Sequence, residues 1–312
     1  MRILLYRGDG VIEPWVRHIT AFLPRAEMVL WQEGQTLERC DYAVIWAPAP
    51  ALLEQLAQCA ELKAIFVTGA GVDALLKFGD ALPDVPLVRL GDAGMAAQMV
   101  DYVSHAVLHY FRRFDDYERQ ARQGIWQPLP PRVKSEFTVG VLGLGKLGVP
   151  VLRALRQLGF PVRGWSRTAK DLPGVECFAG MEALDDFLAG TMVAVSLLPL
   201  TPETNNLLDR ARLSKLPQGA YLVNVARGAQ VAEPDLLALI RAGHIAGATL
   251  DVFRNEPLPA PHPFWNEPRI TITPHISAIT PHEEAARQIA DKIMLLERGE
   301  DIADVVDRHL GY

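Results

Sequence analysis

The sequence predicts an α/β protein of two domains, each with a mostly parallel sheet covered by helices on both faces. Short apolar segments alternate with segments of helical periodicity in both halves of the chain, which is typical of βα units. A proline-rich stretch at 126–131 interrupts this alternation, and a glycine-rich turn follows it. A length of 312 residues with 49% hydrophobic content is enough for two cores.

The first third of the chain is predicted to contain five strands, at 2–6, 26–31, 41–46, 63–68 and 86–90. Helical periodicity lies between them at 14–23, 51–58 and 73–77. A longer helix is predicted from 95 to about 122, because apolar residues recur on one face at Met99, Val103, Val107, Tyr110 and Phe114. Its length and apolar face exceed the needs of one small domain, which predicts that it forms much of a two-fold interface.

After the proline-rich stretch the alternation begins again. Six strands are predicted, at 137–142, 161–165, 192–197, 220–224, 246–250 and 270–272, with helices between them. A closing helix is predicted at 281–298, because Thr280-Pro281 precedes acidic residues that suit a first helical turn.

Composition narrows the class of function. The formal net charge of −6 argues against a general nucleic-acid or anionic-membrane binder. No stretch is apolar enough for a membrane-spanning helix or a signal peptide, so we expect a cytoplasmic protein. The three cysteines, Cys40, Cys59 and Cys177, have neither C-x-x-C nor metal-ligand spacing. We therefore expect structural thiols and no metal site.

The glycine-rich turn is the most informative motif. Gly143, Gly145 and Gly148 follow the apolar run 137–142 at G-x-G-x-x-G spacing. Gly143 would make the tight turn, Gly145 would admit a pyrophosphate, and Gly148 would let the next helix pack on the sheet. Glycines also recur in such turns for packing alone, but the strand before and the helical pattern after favour dinucleotide binding.

The end of the following strand bears on which dinucleotide binds. An NAD-binding chain usually has an acidic residue there, whereas this chain has Ser166-Arg167-Thr168. A guanidinium flanked by hydroxyls can bind a 2′-phosphate, so we predict NADP rather than NAD. The alternative is a solvated loop with an incidental arginine.

Polar segments follow three later strands, where open α/β sheets bind ligands. They are 224–228, 250–253 with Glu256-Pro257 behind it, and 273–275. In the first domain, Gly69, Ala70 and Gly71 follow a strand and precede a helix. Their exposed backbone N–H groups predict a carboxylate-binding turn.

These motifs together resemble the D-2-hydroxyacid dehydrogenase family and, within it, the glyoxylate/hydroxypyruvate reductase A group. The resemblance covers essentially the full length. It rests on GAGVD at 69–73, RRFDDY at 112–117, WQPLP at 126–130, GLGKLG at 143–148, WSRT at 165–168, LLPLTPET at 197–204, ARG at 226–228, LDVF and EPLP within 250–259, and TPH at 273–275.

The resemblance implies two Rossmann-like or flavodoxin-like domains with the active site in the cleft between them. The expected substrate domain comprises 1–104 and 285–312, and the expected dinucleotide-binding domain comprises 105–284. A homodimer is also implied, with a small 2-oxo or 2-hydroxy acid as substrate.

The resemblance further implies catalytic roles for Arg227, Glu256 and His275. His275 would act as the general acid, Glu256 would orient its imidazole and favour the protonated form, and Arg227 would hold the substrate carboxylate. Trp46 would border the substrate beside Gly69, Ala70 and Gly71. The expected cofactor contacts are Gly143, Gly145, Lys146, Leu147, Gly148, Ser166, Arg167, Thr168, Leu198, Pro199, Thr204, Ala226 and Asp251, the last at the nicotinamide end.

Alternatives remain at this point. Taken singly, Arg227, Glu256 and His275 are typical of solvated loops, and it is their order on successive loops that favours catalysis. Trp46, Met95 and Trp265 would suit a substrate pocket or ordinary packing equally well. The predicted activity is NADPH-dependent reduction of glyoxylate and hydroxypyruvate. The alternatives are a bulkier 2-oxo acid such as phenylpyruvate, an NAD-linked 3-phosphoglycerate-type dehydrogenase, or a dinucleotide-sensing co-repressor.

Overall fold

The computed structural model describes residues 1–312, which divide into two compact units. Unit 1 comprises Met1–Met95 and Thr280–Tyr312, and unit 2 comprises Ala96–Ile279. The sequence-based boundaries lie at 104/105 and 284/285, nine and five residues further along the chain.

Unit 1 is a five-stranded parallel sheet in the order β2-β1-β3-β4-β5. Its strands are β1 (Arg2–Arg7), β2 (Glu27–Leu30), β3 (Tyr42–Trp46), β4 (Ala64–Val67) and β5 (Leu87–Val88). Its first helices are α1 (Glu13–Phe22), α2 (Pro50–Ala57) and α3 (Asp73–Leu76), with a 3-10 turn at Gly79–Ala81. The central strands β3 and β4 are apolar and buried, as expected for a sheet covered on both faces.

Unit 2 is a seven-stranded parallel sheet in the order β12-β11-β10-β9-β6-β7-β8. Its strands are β6 (Val139–Leu142), β7 (Val162–Ser166), β8 (Glu176–Ala179), β9 (Val193–Ser196), β10 (Ala220–Asn224), β11 (Ile245–Leu250) and β12 (Ile270–Ile272). Its helices are α4 (Met95–Phe111), α5 (Phe114–Arg122), α6 (Gly148–Gln157), α7 (Leu184–Ala189), α8 (Arg210–Leu213) and α9 (Glu233–Arg241). Short 3-10 helices lie at Lys134–Glu136, Met181–Ala183, Gly228–Gln230 and Pro263–Asn266.

The strand order of unit 2 reverses between β6 and β9. The chain runs outward through β7 and β8, returns to β9 beside β6, and then continues outward through β10 to β12. Ligands of open α/β sheets bind at such a switch point, beyond the carboxyl ends of the strands. The loops that follow β6 and β9 are therefore the expected cofactor-binding loops.

The last helix, α10 (His282–Glu297), returns to unit 1 and packs against α1. The His282 imidazole contacts the buried Trp15 indole edge-on, with 5.3 Å between ring centroids. None of the helices has the length and apolar character needed to cross a membrane.

The predicted α/β fold class with two parallel sheets is confirmed. The single helix predicted from 95 to 122 is wrong, because Arg113 adopts the left-handed conformation, with φ of 63° between α4 and α5. Phe114 is 48% exposed, so it does not continue the buried face formed by Val103, Val107 and Tyr110. Strand β8 was not predicted, because it is a four-residue edge strand with one exposed and three half-buried residues, too short to show a strand pattern.

Helix α4 explains the difference at the first domain boundary. Its buried side chains, including Met99, Val103 and Val107, pack in one core with Val139 and Val141 of β6. The helix therefore belongs to unit 2 almost from its first turn.

Candidate active site

The glycine turn leaves room for a pyrophosphate at the end of β6. Gly143 has φ of 103°, and a Cβ there would lie 2.7 Å from the Leu197 carbonyl oxygen. A Cβ on Gly148 would overlap the Gly143 carbonyl oxygen, whereas a Cβ on Gly145 would point into open space. Lys146 is exposed, and Leu147 lies directly before α6. The turn therefore fits a dinucleotide, because the open space at Gly145 lets a phosphate approach the backbone N–H groups where α6 begins.

The loop after β7 exposes a cation but not all of the predicted hydroxyls. Arg167 and Thr168 are exposed, whereas Ser166 is buried and its Oγ donates to the Thr168 carbonyl oxygen at 2.8 Å. The Ser166 hydroxyl therefore stabilises the loop, and Arg167 is the group that can approach a phosphate. The exposed Glu203 lies near it: hydrogen bonds from Thr201 and its own backbone N–H, together with the Arg167 charge, lower the pKa of Glu203.

The loop after β9 is held by the buried side chain of Gln230, a residue that was not predicted from the sequence. Gln230 is fully buried, and its Nε2 donates to the carbonyl oxygens of Leu198 at 2.8 Å and Pro199 at 3.1 Å. Its Oε1 accepts from Ser196 Oγ at 2.8 Å. The predicted cofactor residue Thr204 closes the same loop by donating from Oγ1 to the Pro199 carbonyl oxygen at 2.7 Å. Nothing in the sequence distinguishes Gln230 from an ordinary polar loop residue.

The turn after β10 presents Arg227. The buried Asn224 side chain spans the turn, because its Nδ2 donates to the Arg227 carbonyl oxygen at 3.0 Å and its Oδ1 accepts from Ala226 N–H at 3.2 Å. Arg227 is partly buried, and its Nη1 donates to the Ala226 carbonyl oxygen at 2.8 Å. The next residue, Gly228, is packed so closely on Phe253 that a Cβ would overlap its backbone. The turn that carries Arg227 is therefore packed closely on the Phe253 backbone.

Glu256 and His275 are joined by a hydrogen bond of 2.8 Å between Oε2 and Nδ1. The other carboxylate oxygen, Oε1, accepts from Phe253 N–H at 2.9 Å. Burial alone would raise the pKa of Glu256, but these two hydrogen bonds and the charges of His275 and Arg227 together lower it. Glu256 is therefore ionised near neutral pH. Because the ionised Glu256 can only accept a hydrogen bond, His275 must carry a proton on Nδ1. The other ring nitrogen, Nε2, is then the one that can transfer a proton.

Asp251 holds the segment that carries His275. Its carboxylate is fully buried and accepts from Thr273 Oγ1 at 2.6 Å, Ile276 N–H at 2.8 Å and Ser277 N–H at 2.8 Å. Its carbonyl oxygen accepts from His275 N–H at 2.9 Å. These contacts support a positioning role, while the predicted contact of Asp251 with the nicotinamide end stays a prediction.

Helix α4 extends this network. The Tyr102 hydroxyl contacts Thr273 Oγ1 at 2.5 Å, and because Thr273 donates to Asp251, it accepts from Tyr102. Burial and the Asp251 charge raise the pKa of Tyr102 to about 12, although the hydrogen bond to Thr273 partly offsets them. The phenol therefore keeps its proton. His275 has a strained backbone with φ of 56°, and hydrogen bonds hold the residues on either side of it: Thr273 bonds to Tyr102 and Asp251, and Ile276 N–H donates to Asp251.

In unit 1, the predicted substrate-binding residues lie at the carboxyl ends of β3 and β4. A Cβ on Gly69 would come within 2.5 Å of the Trp46 ring, so the indole packs directly on the turn that contains Ala70 and Gly71. Arg7, which the sequence analysis missed, donates from Nη1 to Thr68 Oγ1 at 2.5 Å. It also pairs with Asp9, so its guanidinium ties the end of β1 to the end of β4.

Trp265 and Met95 are the other two apolar side chains that were considered for a pocket. Trp265 is 52% exposed and donates from Nε1 to the Pro259 carbonyl oxygen at 3.0 Å. Met95 is buried and its sulfur accepts from Thr280 Oγ1 at 3.7 Å. Their proposed contact with substrate stays a prediction.

Comparison with known proteins identifies the family. Residues 104–277 match the model of the D-isomer specific 2-hydroxyacid dehydrogenase NAD binding domain. A protein from Yersinia enterocolitica named glyoxylate/hydroxypyruvate reductase A is 46% identical over 317 residues, which cover 100% of both chains.

Solved structures agree with this match. A D-isomer specific 2-hydroxyacid dehydrogenase from Xanthobacter autotrophicus Py2, in complex with NADPH and MES, is 42% identical with a TM-score of 0.94, covering 100% of this chain and 99% of that one. An NADPH-dependent glyoxylate/hydroxypyruvate reductase from Sinorhizobium meliloti, in complex with NADP and sulfate, is 33% identical with a TM-score of 0.92 and the same coverage. The family resemblance seen in the sequence motifs is confirmed, and the chain belongs to the D-isomer specific 2-hydroxyacid dehydrogenase family.

Proposed function

We propose that the protein reduces small 2-oxo acids with NADPH, converting glyoxylate to glycolate and hydroxypyruvate to D-glycerate. The observation that carries the proposal is the hydrogen bond of 2.8 Å between Glu256 and His275, with the Arg227 charge close enough to affect the pKa of Glu256. An acid, its anionic partner and a guanidinium are the groups that carbonyl reduction beside a carboxylate requires.

The proposed chemistry divides among these three side chains. When NADPH is bound, its reduced nicotinamide supplies the hydride that is added to the 2-oxo carbon. Negative charge then develops on the carbonyl oxygen, and His275 Nε2 donates a proton to it. Glu256 stabilises the imidazolium before the transfer, and Arg227 binds the substrate carboxylate and polarises the carbonyl.

The choice of NADPH is supported by the residues after β7. Arg167 is exposed there and the segment Ser166-Arg167-Thr168 contains no carboxylate, so a 2′-phosphate at the end of β7 would meet a guanidinium. The exposed Glu203 near Arg167 is the anion with which the phosphate would compete. The relatives from Xanthobacter and Sinorhizobium bind NADPH and NADP, respectively.

The choice of a small substrate is supported by Trp46. The indole packs on Gly69, within the turn at 69–71 that we propose binds the carboxylate, so a bulky substituent would compete with the ring for space. The name of the Yersinia relative supports the same substrates. We also propose a cytoplasmic homodimer.

A substrate panel tests this function. We expect kcat/KM with NADPH to be higher for glyoxylate and hydroxypyruvate than for pyruvate, and lowest for phenylpyruvate. A clear preference for phenylpyruvate would contradict the small-substrate assignment and leave the dehydrogenase mechanism standing. Binding of NADPH without turnover of any 2-oxo acid would instead favour a dinucleotide-sensing protein.

A further inference from the structure

Two cysteines that are distant in the sequence lie together in unit 1. The sulfur atoms of Cys40 and Cys59 are 3.9 Å apart. Cys40 N–H donates to Cys59 Sγ at 3.3 Å, and the Cys59 thiol donates to the Cys40 carbonyl oxygen at 3.3 Å. The sequence predicted structural thiols that do not form a pair, because the two lie 19 positions apart and no C-x-x-C spacing is present.

The two thiols differ in their access to solvent. Cys40 is 1% exposed and packs in the apolar core of unit 1, where burial and the neighbouring Cys59 raise its pKa. Cys59 is only partly buried and lies in the turn after α2, next to the exposed Glu61. A reagent in solution therefore reaches the Cys59 thiol first, because the Cys40 thiol is buried.

We propose that Cys40 and Cys59 form a reversible disulfide when the protein meets a low-molecular-weight disulfide of the glutathione type. The Cys59 thiolate attacks one sulfur of the reagent and displaces its first thiolate, which forms a mixed disulfide. The Cys40 sulfur then loses its proton, attacks the Cys59 sulfur and displaces the second reagent thiolate. Two protein thiols are oxidised, the reagent disulfide is reduced to two thiols, and the two protons end on those thiols.

The local structure permits this bond. A disulfide has a sulfur–sulfur length of about 2.05 Å, so the sulfur atoms must approach by about 2 Å. Cys40 lies just before β3 and Cys59 just after α2, and neither residue is part of a helix or strand. Side-chain rotation and small loop movements can therefore close the gap without breaking the strand pairing of β3.

The test uses the full-length protein. The reduced protein is incubated with oxidised glutathione, unfolded in urea in the presence of iodoacetamide so that every remaining thiol is alkylated, and digested with trypsin in the absence of reductant. No Lys or Arg lies between the two cysteines, so both fall in peptide 40–63. We expect this peptide to become lighter by two hydrogen atoms and to lose both alkylation sites, and dithiothreitol should restore them. Cys177, in β8 of unit 2, is the matched single thiol, which can take up glutathione but cannot form a disulfide within its own peptide.

Two variants separate the roles of the thiols. Cys40→Ser should trap glutathione on Cys59 as a stable mixed disulfide, because the resolving thiol is absent. Cys59→Ser should leave Cys40 unmodified, because the core shields it. A wild-type protein that keeps glutathione on Cys59, or whose peptide 40–63 stays fully alkylated while Cys177 reacts, would overturn the proposal. The wild-type measurement decides the question even if the Cys40 variant does not fold.

Discussion

Replacing Glu256 with glutamine removes the negative charge beside His275 and leaves the side chain almost the same size. Glu256 uses one carboxylate oxygen for Phe253 N–H and the other for His275 Nδ1. Glutamine has only one oxygen, so it can accept from one of these donors but not from both. The imidazolium loses its anionic partner, and we expect the basic limb of the pH profile for reduction to move to lower pH.

The size of the movement follows from the geometry. Two unit charges at 2.8 Å interact by about 1.5 kcal/mol at a dielectric constant of about 80, and by about 6 kcal/mol at about 20. The side chains of His275 and Glu256 are 47% and 36% exposed, so the weaker value applies. A free energy of about 1.4 kcal/mol corresponds to about one pH unit, which is the expected movement of the limb.

The assay is kcat against pH for 2-oxo acid reduction at saturating NADPH. Glu283→Gln is the matched control, because Glu283 is an exposed carboxylate of α10 paired with Arg287, and its profile should follow the wild type. If the basic limb of Glu256→Gln stays where it is in the wild type while kcat falls, Glu256 orients the imidazole without stabilising its charge. The electrostatic reasoning would then be refuted.

Four further predictions concern the cofactor, the catalytic loop and the assembly. His275→Ala should lower kcat by about 100-fold or more, the usual range for loss of a general acid, with the Kd for NADPH measured by fluorescence as the control. The double variant Ser166→Asp with Arg167→Ala should shift the ratio of kcat/KM values from NADPH toward NADH, because a carboxylate repels the 2′-phosphate and accepts from the ribose hydroxyls; a wild type that prefers NADH would contradict this. Asp251→Asn places an amide where three donors point, so it should lower the free energy of unfolding by roughly 1–3 kcal/mol and reduce kcat more than it changes KM, as measured by urea unfolding and steady-state kinetics. The protein should scatter light as a dimer at micromolar concentration, and a monomer would contradict the two-fold interface predicted for the helical segment 95–122.

The break between α4 and α5 shows where local periodicity was not enough to predict the secondary structure. The apolar repeat continues to Phe114 in the sequence, and no glycine or proline interrupts it. Residue 113 nevertheless turns left-handed, and α5 begins with Arg113 Nε donating to Asp116 Oδ2 at 2.7 Å. A turn made from arginine carries no distinctive residue type, so periodicity alone could not find it.

The functional residues divide in the same way. The glycines at 143–148 were identifiable because a close backbone approach and a φ of 103° demand residues without a Cβ. Arg227, Glu256 and His275 could be predicted as a set, because the family resemblance implies their roles and their motifs follow successive strands, where polar loops bind ligands.

The α/β class, the alternation of strands and helices, the dinucleotide turn and the family could be predicted from the chain, because each depends on local periodicity or on motifs a few residues long. The side chains that support the site, and the contact between the two thiols, became visible in the folded structure. Gln230 reaches the loop after β9, Asp251 holds the His275 segment, and Cys40 meets Cys59. These contacts join residues 19 to 32 positions apart, and they form because strand order and loop packing bring the segments together, which no spacing in the sequence encodes.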